Sequence, residues 1–510
     1  MLDRVPGNYF IGDSAGMVTL TGIKNVGFGS RTLLHNNGSW NTAIGTDALN
    51  ANTLGNYNVG VGLLAMASNR TGGENTALGT QALNANVDGY YNTATGTNSL
   101  FSHKGGFSNT ANGAYSLYSD TSSYDNTAIG FTSLYLIRSG SANTALGSGA
   151  LSATLSGTFN TAVGYAALKS NKASNYNTAV GGFALGGDTA GLYNTAVGYS
   201  ALYNNRTNYN TAIGSFALFY DTLGTGNSAI GYASLYLNKK GSFNTAVGQG
   251  ALYSTNGNNN TVLGYGALAS NVTSSYNVVV GDSVLYNNTG AGLNTAVGTH
   301  ALYNNTTGFN NIALGQNSGT AIGSPNTVNT ISIGNYNILN AANNQAFFGN
   351  LNMVWNGGNT AWFTYSDARI KTNIAEDVKG LDFITRLRPV TYNRSTKAIL
   401  ALTGNTDNTP DYPGKNDIEK IVFSGFLAQE VEQAAKASGY NFSGITVPKG
   451  PNELYTLSYE QFVVPLVKAV QEQQQIITEQ NKKNALLEEQ INALTKEVEL
   501  IKAQLSKSVK

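Results

Sequence analysis

The sequence is dominated by a short repeat whose most regular residue is a glycine. Nineteen glycines from Gly12 to Gly315 occupy the same slot, at a spacing of 17 residues in fifteen intervals and 16 in three. The phrase around the slot is typified by Asn160-Thr-Ala-Val-Gly164, followed by Ala167 and Leu168. A short period held over so much of a chain predicts a stacked repeat architecture.

Each unit is predicted to form one coil, because 17 residues are too few for the helix pairs of helical repeats, which need about 33. The phrase alternates, so Thr161 and Val163 should point to one face, and Ala162 and Gly164 to the other. Ala167 and Leu168 indicate a second short strand, and the polar run after them is typical of a turn. We therefore expect a mainly β fold: a parallel β-roll or β-helix rod of about twenty coils over residues 1–350.

One such coil encloses little apolar volume, roughly one Val or Ile and one Leu. A single thin roll would leave its face of small residues bare. We therefore expect several chains to pack around an axis through their Ala/Gly faces. A homotrimer is favoured, although the period alone does not give the number of chains.

Charge marks the main domain boundary. Residues 1–350 contain 11 Lys/Arg and 10 Asp/Glu, whereas residues 351–510 contain 18 of each. The net charge of +1 provides no basic field for nucleic acid or an anionic membrane, so neither partner is expected. The chain has no cysteine, which excludes disulfides and thiolate metal sites. His35, His103 and His300 follow no ligand spacing, so we expect no metal and no cofactor.

No run of 18 apolar residues occurs, so membrane insertion is not expected. The first seven residues lack the apolar core of a signal peptide. The chain is therefore interpreted either as a fragment of a longer fibre or as a protein exported without a signal.

Beyond the repeats, the pattern predicts three further parts. Residues 351–365 form a neck containing Trp355 and Trp362. Residues 366–460 are predicted to be a small α+β domain, with helices at 382–387 and 426–436 and an extended segment at 390–392. Residues 461–506 carry apolar heptads and predict a coiled coil.

The two seam positions of these heptads hold different residues. One holds Val463, Val470, Ile477, Asn484, Ile491, Val498 and Leu505, and the other Leu466, Gln473, Gln480, Leu487, Leu494 and Ile501. β-Branched residues at the first position with Leu at the second favour a dimer, but Gln473, Gln480 and Ile501 weaken that rule. Asn484 is predicted to set the register.

Aromatic residues form two rows along the repeats. One row stands five residues after the repeat glycine and the other directly before the repeat asparagine. The favoured interpretation is stacked ladders that stiffen the rod or fill gaps between chains. The alternative is a stripe that binds sugars or a surface, with Tyr203, Tyr236, Tyr253, Tyr286 and Tyr303 as candidate residues.

The sharpest local motif is Ser366-Asp-Ala-Arg-Ile-Lys371, at the change in composition. A serine and a lysine can act as nucleophile and general base where burial lowers the pKa of the amine. By spacing alone the motif is weak, because residues five apart do not share a face of a regular helix.

Three blocks of sequence carry a resemblance to a known family. They are Ser366-Asp-Ala-Arg-Ile-Lys-Thr-Asn-Ile374, Gly425-Phe-Leu-Ala-Gln-Glu-Val431 and Leu454-Tyr-Thr-Leu-Ser-Tyr-Glu-Gln461. In this order before a terminal coiled coil, they resemble the intramolecular chaperone domain of phage tail fibres and tailspikes, the S74 peptidase family. The resemblance implies a trimer and self-cleavage between Tyr365 and Ser366, with Ser366 as nucleophile and Lys371 as base. The repeats resemble the β-roll heads of trimeric adhesins and, more closely, the Asn-Thr-Ala-Val-Gly arrays of tail-fibre-domain proteins.

These observations predict an extracellular appendage, carried by a phage, a phage-tail-like particle or a cell. Its rod would be structural and surface-binding, with a cell-surface receptor or glycan as partner, and its C-terminal domain would mature it. At most we expect autoproteolysis as an enzymatic activity. The alternatives are a cell-surface trimeric adhesin and a glycan-degrading tailspike, which would need a carboxylate pair between chains.

Overall fold

A computed structural model describes residues 7–508 except 322, 335–338, 341, 351, 355–363, 404–410, 412 and 451–452. The chain forms two compact units, Met1–Gly349 and Asn350–Lys510. The predicted neck tryptophans Trp355 and Trp362 lie outside the described residues.

The first unit is a β-solenoid built on one parallel sheet of 21 strands. Each strand pairs with the equivalent residues of the next coil, as in Thr161↔Thr178, Ala162↔Ala179 and Val163↔Val180. The sheet contains β1 (Tyr9–Ile11), β2 (Val26–Phe28), β3 (Thr42–Ile44), β4 (Val59–Val61), β5 (Thr76–Leu78), β6 (Thr93–Thr95), β7 (Thr110–Asn112), β8 (Thr127–Ile129), β9 (Thr144–Leu146), β10 (Thr161–Val163), β11 (Thr178–Val180), β12 (Thr195–Val197), β13 (Thr211–Ile213), β14 (Ser228–Ile230), β15 (Thr245–Val247), β16 (Thr261–Leu263), β17 (Val278–Val280), β18 (Thr295–Val297), β19 (Ile312–Leu314), β21 (Ile331–Ile333) and β23 (Ala346–Phe348). A separate parallel pair is formed by β20 (Gly319–Thr320) and β22 (Leu339–Asn340). The predicted repetitive parallel rod is thus confirmed.

The predicted alternation of the strand is confirmed, since Thr161 and Val163 lie on the face opposite Ala162, but the expectation that the small residues form a bare outer face was wrong. The middle residue is buried and its two neighbours are at least partly exposed in every strand of the main sheet except β23. Ala162 is fully buried within a single chain. At Gly60, which holds the same slot, an added Cβ would lie 3.4 Å from side-chain atoms of Leu49. The small residues therefore face the interior of their own coil, beside its buried leucine.

The predicted second strand is also absent: within the described coils, the Ala-Leu pair lies in a turn. Leu168 has a φ of 51°, in the left-handed region, and most of the equivalent residues in the other coils also have a left-handed φ. That conformation costs about 1–2 kcal/mol in a non-glycine residue. Leu168 is fully buried, which contributes about 1.5–3 kcal/mol, and its amide donates to Ala184 O at 2.9 Å. Burial and hydrogen bonding therefore offset the backbone strain.

A ladder of buried asparagines runs along the coils. The backbone N–H of Asn177 donates to Asn160 Oδ1 at 3.1 Å. The Asn177 amide donates to Gly191 O at 2.7 Å, and its Oδ1 accepts from Asn194 N at 2.9 Å. Each asparagine thus satisfies buried backbone groups at the entry to the next strand, which would otherwise cost about 1–3 kcal/mol each.

A second polar slot in the core, seven residues after the repeat glycine, contains three buried aspartates, Asp120, Asp188 and Asp221. Asp221 Oδ1 accepts from Gly224 N at 2.7 Å. Burial raises the pKa of Asp221 to about 7 and that of Asp188 to about 6. Asparagine occupies the same slot at Asn238, where its Nδ2 donates to Gly241 O at 2.9 Å.

In the second unit, the described helices are α1 (Leu381–Ile384), α2 (Thr396–Leu402), α3 (Ala428–Ala437) and α4 (Val463–Ser508). The strands β24 (Val390–Tyr392) and β25 (Phe423–Gly425) pair antiparallel, as do β26 (Ile445–Thr446) and β27 (Thr456–Leu457). The predicted small α+β region and long terminal helix are confirmed. Helix α2 was not expected.

Replacing the repeat glycine should destabilise the solenoid. Gly164 has a φ of +131°, and a Cβ there would lie 2.6 Å from Gly181 O of the next coil. We expect Gly164→Ala to lower the free energy of unfolding by about 2–4 kcal/mol through strain and overpacking. Gly250→Ala is the control, because Gly250 has a φ of +65° with no atom within 4 Å of the new Cβ, and should cost about 1 kcal/mol. The free energies of unfolding are measured by guanidinium denaturation. If both variants lost the same free energy, the close approach of the coils at Gly164 would be contradicted.

Stability should depend on pH through the buried aspartates. In the unfolded chain Asp221 titrates near 3.8, and in the fold near 7. The stability that its protonated form contributes is therefore complete below pH 4 and is lost as pH rises towards 7. Asp221→Asn should stabilise the solenoid at pH 8, by on the order of 4 kcal/mol, and leave it nearly unchanged at pH 4. The exposed Asp282 supplies the control, Asp282→Asn, which should change little at either pH. If Asp221→Asn changed the stability equally at both pH values, the raised pKa of Asp221 would be refuted.

Candidate functional site

The domain that follows the solenoid is organised around a small aromatic core. Phe383 of α1, Val431 of α3, Phe442 and Phe462 are buried together. The ring centroids of Phe442 and Phe462 lie 4.7 Å apart, and those of Phe383 and Phe442 lie 5.0 Å apart. These contacts join the segments before and after residues 404–410 into one domain.

The first turns of α4 pack against α1, beside this core. Pro465 and Ala469 are buried, and Glu472 Oε2 accepts a hydrogen bond from Leu381 N at 2.7 Å. The carboxylate therefore caps the start of α1, 91 residues earlier in the chain. Beyond this point α4 leaves the domain, and its seam residues are exposed, with Ile491 60 % and Leu494 61 % accessible.

The second and third sequence blocks meet each other. Phe426 N donates to the Tyr459 hydroxyl at 3.0 Å. Together with Tyr392 and Arg394, these blocks line a groove of about 480 Å³. Ser366 and Lys371 are not among the lining residues.

Ser366 and Lys371 are brought together by a tight turn. Residues Ala368–Ile370 form one turn of 3-10 helix, which Asp367 caps by accepting from Arg369 N at 2.9 Å. The turn ends at Lys371, whose side chain returns so that Nζ donates to Ser366 Oγ at 2.8 Å. A spacing that a regular α-helix would separate therefore places the amine against the hydroxyl.

The surroundings of this pair are polar and open. Arg369 Nε lies 3.0 Å from both carboxylate oxygens of Asp367, and this guanidinium lowers the pKa of Asp367. Ser366 and Lys371 are exposed, and Tyr365 is 94 % exposed. The geometry suits proton transfer from the serine to the lysine, but within the single chain neither group is shielded from water.

The aromatic rows of the solenoid form the expected stacked ladders. The row after the repeat glycine stacks in runs, with centroids 5.4 Å apart for Tyr203 and Phe219 and 5.7 Å apart for Tyr286 and Tyr303. Tyr236 and Tyr253 continue the first run at 5.2 Å. Since neighbours cover the ring faces inside each run, mainly ring edges face solvent.

A further aromatic row was missed from the sequence. Tyr165, Phe183, Tyr199, Phe216 and Tyr232 alternate between one and two residues after the repeat glycine, which hides their regularity. Their rings meet edge to face at 5.2–6.2 Å. Tyr165, Tyr199 and Tyr232 are 60 %, 50 % and 55 % exposed, more than the ladder residues named above.

The carboxylates with raised pKa values are structural. Asp188 and Asp221 lie inside the coil core, where no sugar chain can reach, so they cannot act as a glycosidase pair. His103 is likewise buried, with Nδ1 2.7 Å from Asp120 Oδ2. Among the residues that the structure describes, no three His, Asp or Glu side chains come together as a metal-binding group. No helix within the described ranges is long and apolar enough to cross a membrane.

Residues 366–440 match the model of the peptidase S74 family, described as chaperone of endosialidase. The match begins at Ser366, contains Lys371 and α3, and ends before the third sequence block. A search of curated proteins found no match to the chain.

Proposed function

We propose that this chain, in which a β-solenoid precedes a chaperone-of-endosialidase domain, is the subunit of a homotrimeric fibre of tail-fibre or tailspike type. The solenoid is the structural and surface-binding part. The domain from Ser366 onwards directs assembly and then separates by self-cleavage. The observation that carries this proposal is the family match directly behind 21 stacked strands.

Helix α4 supports assembly into an oligomer. It is 46 residues long, and beyond its first turns its apolar seam is exposed, as at Val470 and Ile477. A long single helix with an uncovered heptad seam is stabilised by partner helices. Copies of the same chain supply them, and the family resemblance favours three.

The repeats explain why such a fibre needs a chaperone. Neighbouring coils are nearly alike, so two chains displaced by one whole coil lose only the contacts at their ends. The solenoid therefore specifies the relative register of its chains weakly. A C-terminal helix with a polar seam residue, Asn484, gathers the chains and aligns them before the solenoid forms.

The contact between Ser366 and Lys371 supports self-cleavage, with the roles that the family resemblance implies. The lysine amine takes the hydroxyl proton, and Ser366 Oγ attacks the carbonyl carbon of Tyr365. The C–N bond to Ser366 breaks, its nitrogen takes up the proton, and an ester forms. Water then hydrolyses the ester, leaving a carboxylate on Tyr365. This step needs a neutral amine, which burial favours, so we propose that cleavage waits until neighbouring chains cover the exposed pair.

Surface binding is assigned to aromatic side chains of the solenoid. Tyr253, Tyr286 and Tyr303 of the ladders each expose more than a third of their area. The edge-to-face row exposes more aromatic surface than the ladders do, since about half of Tyr199 and of Tyr232 is exposed. Tyrosine combines an apolar face with a hydroxyl, which suits contact with sugars or a protein receptor.

Cleavage is tested by expressing the chain and its variants. Wild type should yield a product ending at Tyr365 and a second product of 145 residues, 366–510. Ser366→Ala removes the nucleophile and Lys371→Ala the base, so both should stay full length. Lys379→Ala is the control, because this lysine lies in the same segment but has no bond to Ser366, and it should be cleaved. Intact mass measurement of assembled wild type decides the matter, and a wild-type chain that stays full length would refute self-cleavage.

A further inference from the structure

The outer face of the main sheet carries an apolar row along most of its length, beside a row that is mostly threonine. The first and third residues of each strand point outwards, while the middle residue is buried. The third residue is Ile, Val, Leu or Phe in all but two of the 21 strands, the exceptions being Thr95 and Asn112. None of the first or third residues of these described strands is charged. We call the line of third residues the strand stripe.

This face is open in the single chain. Ile213 and Ile230 of the strand stripe are 41 % and 40 % exposed, and Leu263 is 48 % exposed. Purely parallel sheets occur almost only where both faces are covered. Here one face packs on the interior of the coil, whereas no other part of the described chain covers the outer face.

The period of the strand stripe identifies what covers it. Its side chains repeat once per coil, about 4.8 Å apart, over 21 strands. A partner that fits needs an apolar row with the same period and length, and another copy of this chain has one. Each member exposes tens of Å², so the full stripe reaches on the order of the 800 Å² per partner that specific interfaces bury.

The other apolar rows of the solenoid are interrupted. Lys169 stands in the aromatic row that contains Tyr203, and Glu74 and Asp125 stand in the row before the repeat asparagine. A charge in such a row would be buried without a partner if the row lay between chains. These rows suit local contacts, whereas the strand stripe is free of charge from end to end.

We infer that the strand stripe is the interface between the solenoids of the fibre, with copies of this chain as the partner. This inference rests on the proposed trimer and corrects the expectation that Ala/Gly faces lie between chains. Around a three-fold axis the stripes of three chains face one another, so equivalent residues such as Ile230 form layers of three.

Single cysteines test the inference cleanly, because the chain has no cysteine of its own. Ile230→Cys places a thiol on the stripe. Leu223→Cys is the matched control, since Leu223 is apolar, 70 % exposed and lies in a turn outside the sheet. Both are made in the full chain, assembled, treated with a short bismaleimide and separated on a denaturing gel, while light scattering gives the mass of the assembly. Val180→Cys, on the stripe in another coil, replaces Ile230→Cys if that variant does not fold.

We expect most Ile230→Cys chains to become covalently linked and Leu223→Cys chains to stay single, in assemblies with the mass of a trimer. A trimer that is linked at Leu223→Cys but not at Ile230→Cys or Val180→Cys would overturn the interface and leave the proposed trimer standing. A folded monomer by light scattering would overturn the trimer and the interface with it.

Discussion

The asparagine ladder is the interaction on which the rest of the solenoid depends. Each ladder residue accepts from the backbone of the next coil and donates to a carbonyl 13–16 residues further on, as Asn177 does with Asn194 and Gly191. A coil displaced by one residue within the chain would leave these buried groups without partners, at about 1–3 kcal/mol each. Within one chain the register is therefore strictly determined, and the strands, the glycine contacts and the buried leucines follow from it.

Between chains the same regularity has the opposite consequence. A stack whose coils contact only their neighbours gains stability coil by coil, and no single coil distinguishes one alignment of chains from another. The second unit has the properties that the solenoid lacks: a unique core around Phe383 and Phe462, and a helix whose seam contains a single asparagine, Asn484. This division explains why a repetitive fibre would carry a separate assembly domain that the finished fibre does not need.

Much of this could be predicted from the sequence, because the period, the repeat glycine and the heptads reflect local geometry. The sequence could not predict which face of the strand points inwards. Alternation places Ala162 and Val163 on opposite faces but does not identify the inner one. The inward face depends on how the coil closes around its leucines, and Leu168 adopts a left-handed conformation there. The contact between Lys371 and Ser366 was undervalued, because the spacing was judged against an α-helix and the chain forms a 3-10 turn. The family resemblance supplied the roles proposed for these two residues.

The central claim is that the C-terminal domain supplies alignment once and is dispensable afterwards. It is tested most directly by unfolding and refolding two assembled fibres side by side: the uncleaved Ser366→Ala fibre, and a rod freed of residues 366–510 after assembly, by self-cleavage or at an inserted protease site. Light scattering after removal of denaturant measures recovery. The account predicts that both are stable trimers beforehand and that only Ser366→Ala recovers its trimer mass. Equal recovery of the freed rod would contradict it, because the solenoid would then align its own chains.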